Sequence, residues 1–406
     1  MLYEVKNIYK KVNNNRVTAA VPGSKSLTAR AMLIAALSDG ESTLRGAQFS
    51  DDCKTFLNCL RDLGIECAAD GAAVKIAGCG GRLKAKSARI NVGSAGTAAR
   101  FLPAFLAFQD GEYFLDCSAQ MKSRPITPLI ETLENMGAEF VFPESENSYP
   151  FTIKGASEPK PYAEVDIAKS SQFLSALLIS AVCTHGRMTV KSIGGHGLSY
   201  VDMTVRMMRD FGAQVEVSDG VYTVDGGYTA REYYIEPDVS AACYFYAMNR
   251  ILGTDITVDG VSGGSLQGDI KFIELLKNFN GGVIDMGGFS DQTLTLAAIA
   301  PYFDGPTEIC GVEHIRRQEC DRLRAISHNL AAMGVKCEER ADGVKIYPSA
   351  PKPALIKTFG DHRVAMSFAL TGLRADGIVI ENAEVCSKTF KEYFEVLDKL
   401  CTELMR

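Results

Sequence analysis

Six times along the chain a polar residue opens an apolar run of helical length. A glycine or turn closes each run, and a short strand follows. The six read SKSLTARAMLIAALSDGESTLRG, SAGTAARFLPAFLAFQDGEYFLDC, SSQFLSALLISAVCTHGRMTVKSI, DVSAACYFYAMNRILGTDITVDGV, SDQTLTLAAIAPYFDGPTEICGV and DHRVAMSFALTGLRADGIVIENA. They start at Ser24, Ser94, Ser170, Asp238, Ser290 and Asp361. Between them runs a second phrase, in which helix-spaced leucines and methionines end at a glycine suited to a left-handed C-cap, and paired strands follow. Examples are FLNCLRDLGIECAADGAAVKIAG, LIETLENMGAEFVFPESENSYPFTIKG, VRMMRDFGAQVEVSDGVYTVDGG and ISHNLAAMGVKCEERADGVKIYPS. Three of these four place Asp-Gly where a hairpin turn belongs. The unit therefore holds two helices and several strands, repeated six times. Alone it cannot bury both faces, so the copies must pack together. Six copies divide into two groups of three, giving an α/β protein of two pseudo-symmetric domains with the change near residues 236–238.

Composition agrees with this picture. The 406 residues are 46% hydrophobic and 23% charged, as in a globular protein of two or three domains. A net charge of −6 argues against nucleic acid as a partner, so any cationic site must be a local cluster. The opening MLYEVKNIYKKV lacks the apolar core of a signal peptide, and FLPAFLAF and FLSALLISAVC are too short to span a bilayer. A cytoplasmic chain with no membrane partner is expected. Its twelve cysteines form no C-x-x-C and read as small buried hydrophobes rather than zinc ligands or a redox pair.

The chemistry sits at the helix starts. Exposed N–H groups and the macrodipole make a helix N-terminus an anion site. The first start carries Ser24, Lys25, Ser26 and Arg30, with Ser26 and Arg30 spaced i,i+4 toward one ligand. The second carries Ser94, Gly96, Thr97 and Arg100; the third Ser170, Ser171 and Gln172; the fifth Ser290 and Asp291; the sixth Asp361, His362 and Arg363. MKSRPI adds Lys122 and Arg124, HIRRQECDRL adds Arg316, Arg317, Glu319 and Arg322, and CSKTF adds Lys388. Glu319 and Arg322 are placed to pair i,i+3 on a helix.

Ordinary capping explains the serines, threonine and aspartates taken singly, and Asp238 reads as a cap. It does not explain Lys25, Arg30, Arg100 and Arg363, because cations are unfavourable in a first helical turn. Arg316 and Arg317 read as a solvated face. His185, His196 and His328 read as isolated, and GCGGR and SGGSLQGD as glycine turns. Phosphate and carboxylate ligands both fit the cationic starts. Asp291 and Glu319 are then the acid/base candidates, with His362 a third.

PGSKSLTARAMLIAAL, GSAGTAARFL, SSQFLSALL, YVDMTVRMM, SDQTLTLAAIA, ECDRL, GDHRVAMSFAL and SKTFKEYF, in that order over nearly the whole chain, resemble the EPSP synthase (3-phosphoshikimate 1-carboxyvinyltransferase) family. The resemblance implies two domains joined by two crossovers, each of three βαβαββ repeats with buried parallel helices (the enolpyruvyl transferase fold). It places residues 19–235 in one domain, and residues 1–18 with 236–406 in the other. It implies a monomer that transfers the carboxyvinyl group of phosphoenolpyruvate to the 5-hydroxyl of shikimate 3-phosphate, with no metal or organic cofactor. Asp291 then matches the acid nearest the acceptor hydroxyl, Glu319 the acid/base beside phosphoenolpyruvate, and Lys25 a lysine touching both substrates. Ser26, Arg30, Thr97, Ser170, Ser171, Gln172, Tyr200, His314 and Gln318 stand at acceptor positions. Ser94, Gly96, Gln120, Gln172, Arg322, Arg363 and Lys388 stand at phosphoenolpyruvate positions. The resemblance also implies closure, since helix starts of like charge would face one another until an anion screens them.

There are departures from the family pattern. Gln120 replaces an arginine and Gln318 a lysine; Ser94 and His314 stand where asparagine is common, and Gly197 where serine is. Each lost charge-assisted bond is worth about 1.5–3 kcal/mol, to be made up by Lys122 or Arg317, or reflected in a different acceptor or low activity. The sister family, which acts on UDP-N-acetylglucosamine, has Gly-Ala-Lys-Asn in place of GSKS. It also has a reactive cysteine where this chain has Ala119, so Cys117, two residues off, reads as structural. Two alternatives stay open: an enolpyruvyl transferase for another hydroxylated acid, and a non-catalytic anion-binding relative.

Overall fold

The computed structural model describes residues 1–406 except Asn14, His185 and His196; the sequence readings of those two histidines lie outside the described residues. The chain forms two compact units, Gly23–Glu236 and Met1–Pro22 with Pro237–Arg406.

The six apolar runs form helices Lys25–Leu37, Ala98–Ala107, Gln172–Ser180, Val239–Leu252, Thr293–Ile299 and His362–Gly372. They are largely apolar because most of each is buried. Every residue of Ala98–Ala107 is buried, and every residue of Gln172–Ser180 from Phe173 on. The second-phrase helices are amphipathic instead. Asp51–Asp62 buries Asp52, Cys53, Phe56, Leu57, Cys59 and Leu60 and turns Asp51, Lys54, Asn58, Arg61 and Asp62 to solvent. Their expected C-cap glycines, Gly64, Gly137, Gly212 and Gly334, all have positive φ.

One repeat shows the topology. Strands Ser87–Asn91 and Glu112–Asp116 run parallel on either side of helix Ala98–Ala107. Helix Thr127–Asn135 follows, and Glu139–Val141 with Phe151–Lys154 complete an antiparallel pair. Tyr113, Leu115, Phe151 and Ile153 point into the core at a period of two. In another repeat Asp219 and Gly220 both have positive φ, as a two-residue hairpin turn of type I′ requires.

The helix recurs six times, but the four-stranded sheet recurs four times. The fourth repeat has only Asp255–Val258, and the sixth only Ala354–Ile356 and Ile378–Ile380 of its own. Strands from elsewhere complete these shorter sheets. Arg16–Ala19 lies parallel to Asp255–Val258, and Tyr3–Glu4 antiparallel to Ile378–Ile380. The first repeat in turn takes its edge strand, Glu232–Tyr234, from the far end of its unit. The N-terminal crossing therefore falls after Pro22 rather than after residue 18, because Ala19 pairs with Val258. Each unit closes its own ends with a backbone bond: Asp238 N to Pro22 O, and Ser24 N to Glu236 O, both at 2.8 Å.

All twelve cysteines are free, and seven are buried. Cys117 is one of the seven, and burial, then Asp116, pushes its thiol up to about 11. No helix among the described residues is long and apolar enough to cross a membrane.

Two predictions follow from this packing. A Cβ built on Gly23 would lie 1.8 Å from the Gly46 carbonyl oxygen, a backbone atom that cannot swing away. Gly23→Ala should cost about 2 kcal/mol, read in thermal denaturation as a fall of about 4–8 °C in Tm. Cys117 should be inert: at pH 8 roughly one thiol in a thousand is ionised when its pKa is near 11. Iodoacetamide and peptide mapping should find it unmodified in the folded protein at pH 8, with labelling appearing only as pH approaches 11.

Candidate active site

The helix starts differ in how they are capped. Ser24 accepts from Leu27 N, Asp238 from Ala241 N and Asp361 from Arg363 N, so these three are ordinary caps. Thr97 and Ser171 make no such bond and already sit in helical φ/ψ. Ser170 stands in beside Ser171, its Oγ accepting from Gln172 N at 3.3 Å.

In the unit Gly23–Glu236, Lys25 has a carboxylate partner: its Nζ lies 3.3 Å from Asp52 Oδ2 on the first turn of Asp51–Asp62. Arg30 is 2% exposed and spans three helices. Its Nε donates to Thr204 Oγ1 at 2.7 Å, Nη1 to Ser26 O at 3.1 Å, and Nη2 to Ser175 Oγ and Tyr200 O at 3.4 and 3.3 Å. The Phe101 ring lies 5.4 Å away. Burial pushes Arg30 down to about 10. Ser26 and Arg30 meet as their i,i+4 spacing predicts, yet through the Ser26 carbonyl, and four of the five guanidinium N–H groups are taken by protein. Beside Tyr200, Gly197 has φ +63°, and a Cβ there would come within 2.7 Å of Ser171 Oγ, which accounts for glycine at this place.

A second cluster gathers at the Ala98–Ala107 start. Ser94 and Ser118 share a hydroxyl bond of 2.7 Å. The Arg124 guanidinium lies 3.0 Å from a Cβ built on Gly96, so a side chain there would have to push that guanidinium aside. Arg100 ties the MKSRPI segment to the helix, donating to Pro125 O and Met121 Sδ at 2.8 Å. Burial, then Arg124, pushes Arg100 down to about 9. Neither Arg100 nor Arg124 has an ion pair among the described residues, and the Nε of each is buried without a partner. Gln120 lies half-buried on the short turn Ala119–Lys122 of the same segment, and Lys122 is paired with Glu144 at 2.7 Å.

The other unit assembles the acids. Asp291 Oδ1 lies 3.1 Å from Arg322 Nη1, and Oδ2 lies 2.8 Å from Arg363 Nη2. Arg322 also forks onto Asp361, with Nε to Oδ2 at 2.7 Å and Nη2 to Oδ1 at 3.4 Å, and Gln318 Oε1 accepts from its Nη1. Burial alone would lower the proton affinity of Arg322; Asp361 and Asp291 outweigh it and raise it. Glu319 is held between Lys388 Nζ at 3.1 Å and His362 Nδ1 at 2.8 Å. His314 Nε2 bonds Ser290 Oγ at 2.8 Å. Glu319, Asp361 and His362 bring three potential ligand atoms within 4.8 Å, but Lys388 and Arg322 already supply the positive charge there.

Several expectations need correction. Glu319 and Arg322 do not share a helix face, because Glu319 lies on the loop before helix Arg322–Ala332, whose cap is Asp321. Arg316 is not solvated, since it pairs with Asp321 and Glu339; Arg317 is exposed as expected. His328 is not isolated, its ring standing edge-on to Phe359 at 5.4 Å. SGGSLQGD is more than a turn: Gln267 and Asp269 are buried in it, and Gln267 Oε1 accepts from Val239 N at 3.0 Å. Asp52 and Asp269 carry no site signal in the sequence. The acidic first turn of Asp51–Asp62 was visible as a dipole match, but its partner Lys25 was not.

Known proteins share this architecture. An EPSP synthase of Acinetobacter baumannii superposes with a TM-score of 0.83 at 23% identity, over 98% of this chain and 97% of that one. The enolpyruvyl transferase NikO of Streptomyces tendae gives 0.74 at 16% identity, with the same coverage. At these identities the likeness establishes the enolpyruvyl transferase fold. By sequence, the 3-phosphoshikimate 1-carboxyvinyltransferase of Trichormus variabilis is 40% identical over 402 residues, 93% of this chain and 94% of that protein. The 3-phosphoshikimate 1-carboxyvinyltransferase 2 of Halalkalibacterium halodurans is 36% identical over 98% and 95%. The model of the family described as EPSP synthase (3-phosphoshikimate 1-carboxyvinyltransferase) matches residues 10–284 and 278–397. Matched by the family model and by relatives 36–40% identical over more than nine-tenths of its length, this protein belongs to the EPSP synthase family.

Proposed function

We propose that the protein transfers the carboxyvinyl group of phosphoenolpyruvate to the 5-hydroxyl of shikimate 3-phosphate, releasing phosphate by addition and elimination. The observation that supports this most is the pair of clamped acids, Asp291 between Arg322 and Arg363 and Glu319 between Lys388 and His362. Addition needs one group to take the hydroxyl proton and another to protonate the vinyl CH₂. Elimination returns a proton from the new methyl group as phosphate leaves. Asp291 takes the first role and Glu319 the second. Both oxygens of Asp291 are engaged by arginines, which orients the carboxylate and leaves a lone pair on each oxygen for the incoming hydroxyl. Phosphoenolpyruvate, with its carboxylate and phosphate, is an anion the same arginines can hold. Lys25, Ser26, Thr97, Ser170, Ser171, Gln172 and Tyr200 hold the acceptor in this reading, and Gly96, Arg124 and Arg363 the donor.

A second acceptor, another hydroxylated acid, is favoured by the state of Lys122, one of the two cations that could make up for the losses at Gln120 and Gln318: it is paired with Glu144.

Phosphate release from phosphoenolpyruvate with shikimate 3-phosphate tests the activity. Turnover is expected, and Asp291→Asn should cut kcat about 10²–10⁴-fold with acceptor affinity nearly kept. Turnover only with another acid would favour the second acceptor, and binding without phosphate release would leave a non-catalytic relative.

A further inference from the structure

Residues 262–269 carry a carboxylate into the core. Asp269 precedes helix Ile270–Leu276 and is 3% exposed. Its Oδ2 accepts from the Ser240 hydroxyl and, at 2.8 Å, from Gln292 Nε2. Ser240 lies in the first turn of Val239–Leu252, and Gln292 directly follows Asp291. Gln292 is itself immobilised: it is fully buried, and its Oε1 accepts from Thr295 Oγ1 at 3.0 Å. A buried chain of bonds thus links Asp269 to the backbone that carries Asp291. The charged and titratable groups facing Asp269 are the Asp291 carboxylate, the Arg363 guanidinium and the thiol of Cys243, which donates to the Asp269 carbonyl at 3.6 Å.

The clamp on Asp291 poses a chemical problem. Guanidinium groups beside a carboxylate depress its basicity, commonly by about one to three units, and a weak base takes a hydroxyl proton poorly. A second negative charge behind Asp291 corrects this, because a like charge disfavours its anion. Burial and Asp291 hold Asp269 above the ordinary carboxylate range, the reciprocal effect.

We infer that Asp269 is a positioning residue for Asp291: it fixes the carboxylate's place through Gln292, and its buried charge offsets Arg322 and Arg363. The inference rests on Asp291 being the proton acceptor.

The test is Asp269→Asn in the full chain, a nearly isosteric change that removes the charge. Without it Asp291 is the weaker base, so the plateau kcat should fall roughly three- to tenfold. The wild-type profile should step down as pH falls through about 6, where Asp269 takes up its proton, and that step should be absent in Asp269→Asn. KM for both substrates should change less than about twofold, since ground-state binding is untouched. A lower kcat with the step retained would mark a purely structural residue and overturn the inference, as would an unchanged profile. If the wild type shows no turnover, the activity reading fails separately, and carboxyl NMR of aspartate-labelled protein decides. There the Asp269 step, identified by its loss in Asp269→Asn, should move lower in Asp291→Asn, which removes the like charge; an unmoved step overturns the inference. If Asp269→Asn does not fold, Ser240→Ala takes its place. Removing one donor to the Asp269 anion should move its step up, and an unmoved step again overturns the inference.

Discussion

One buried guanidinium organises the acid-bearing unit. Arg322 forks onto Asp361 and reaches Asp291, and Asp361 at the same time caps the sixth core helix through Arg363 N. A cation taken out of water costs several kcal/mol unless it is fully paired. Here it is paired twice, with Gln318 accepting one further bond. Asp361, Arg322 and Asp291 therefore form one charged assembly, with the first two buried and Asp291 partly so. Lysine could not take this place, because a point charge cannot hold two carboxylates in fixed, planar register.

The unit Gly23–Glu236 meets the same burden differently. Arg30, Arg100 and Arg124 form no ion pair among the described residues. Carbonyls, hydroxyls, a thioether and the Phe101 ring satisfy much of their hydrogen-bonding capacity without cancelling their charge. Those guanidinium charges are left without a carboxylate, whereas Arg322, Arg363 and Lys388 of the other unit are spent on acids. Lys25, paired with Asp52, is the exception, and its pairing answers why a cation is tolerated at a helix start at all.

What could be read along the chain was what burial writes into a single stretch. The six core helices were visible because helices such as Ala98–Ala107 must be apolar on every side. The four hairpins were visible because their glycine stops and turns are local, and the fourth and sixth repeats, which lack that phrase, are those without a full sheet of their own. Cation positions were legible from the dipole argument, but their partners were not. Nothing local distinguishes Asp52, which meets Lys25 across 27 residues, from a solvated dipole match. Asp269 was hidden in the same way: glycines around it signal a turn, and only tertiary packing shows its carboxylate beneath the fourth and fifth core helices. The clamped geometry of Asp291 likewise depends on Arg363, 72 residues on.

The exchanged strands explain why two units can share one chain and stay distinct. Tyr3 pairs with Ile380 and Val17 with Ile256, so the second unit is incomplete until both ends of the chain have met. Joining ends across so long an interval carries a loop-closure cost that grows only with the logarithm of its length. The first unit reduces the effective interval by closing on itself, with Glu232–Tyr234 against Glu41–Arg45 and Ser24 N on Glu236 O. Once it has folded, Pro22 and Asp238 are brought within hydrogen-bond distance, and the remaining strands pair across a short effective gap. The unit bearing Asp291 and Glu319 thus needs residues from both ends of the chain to complete its sheets.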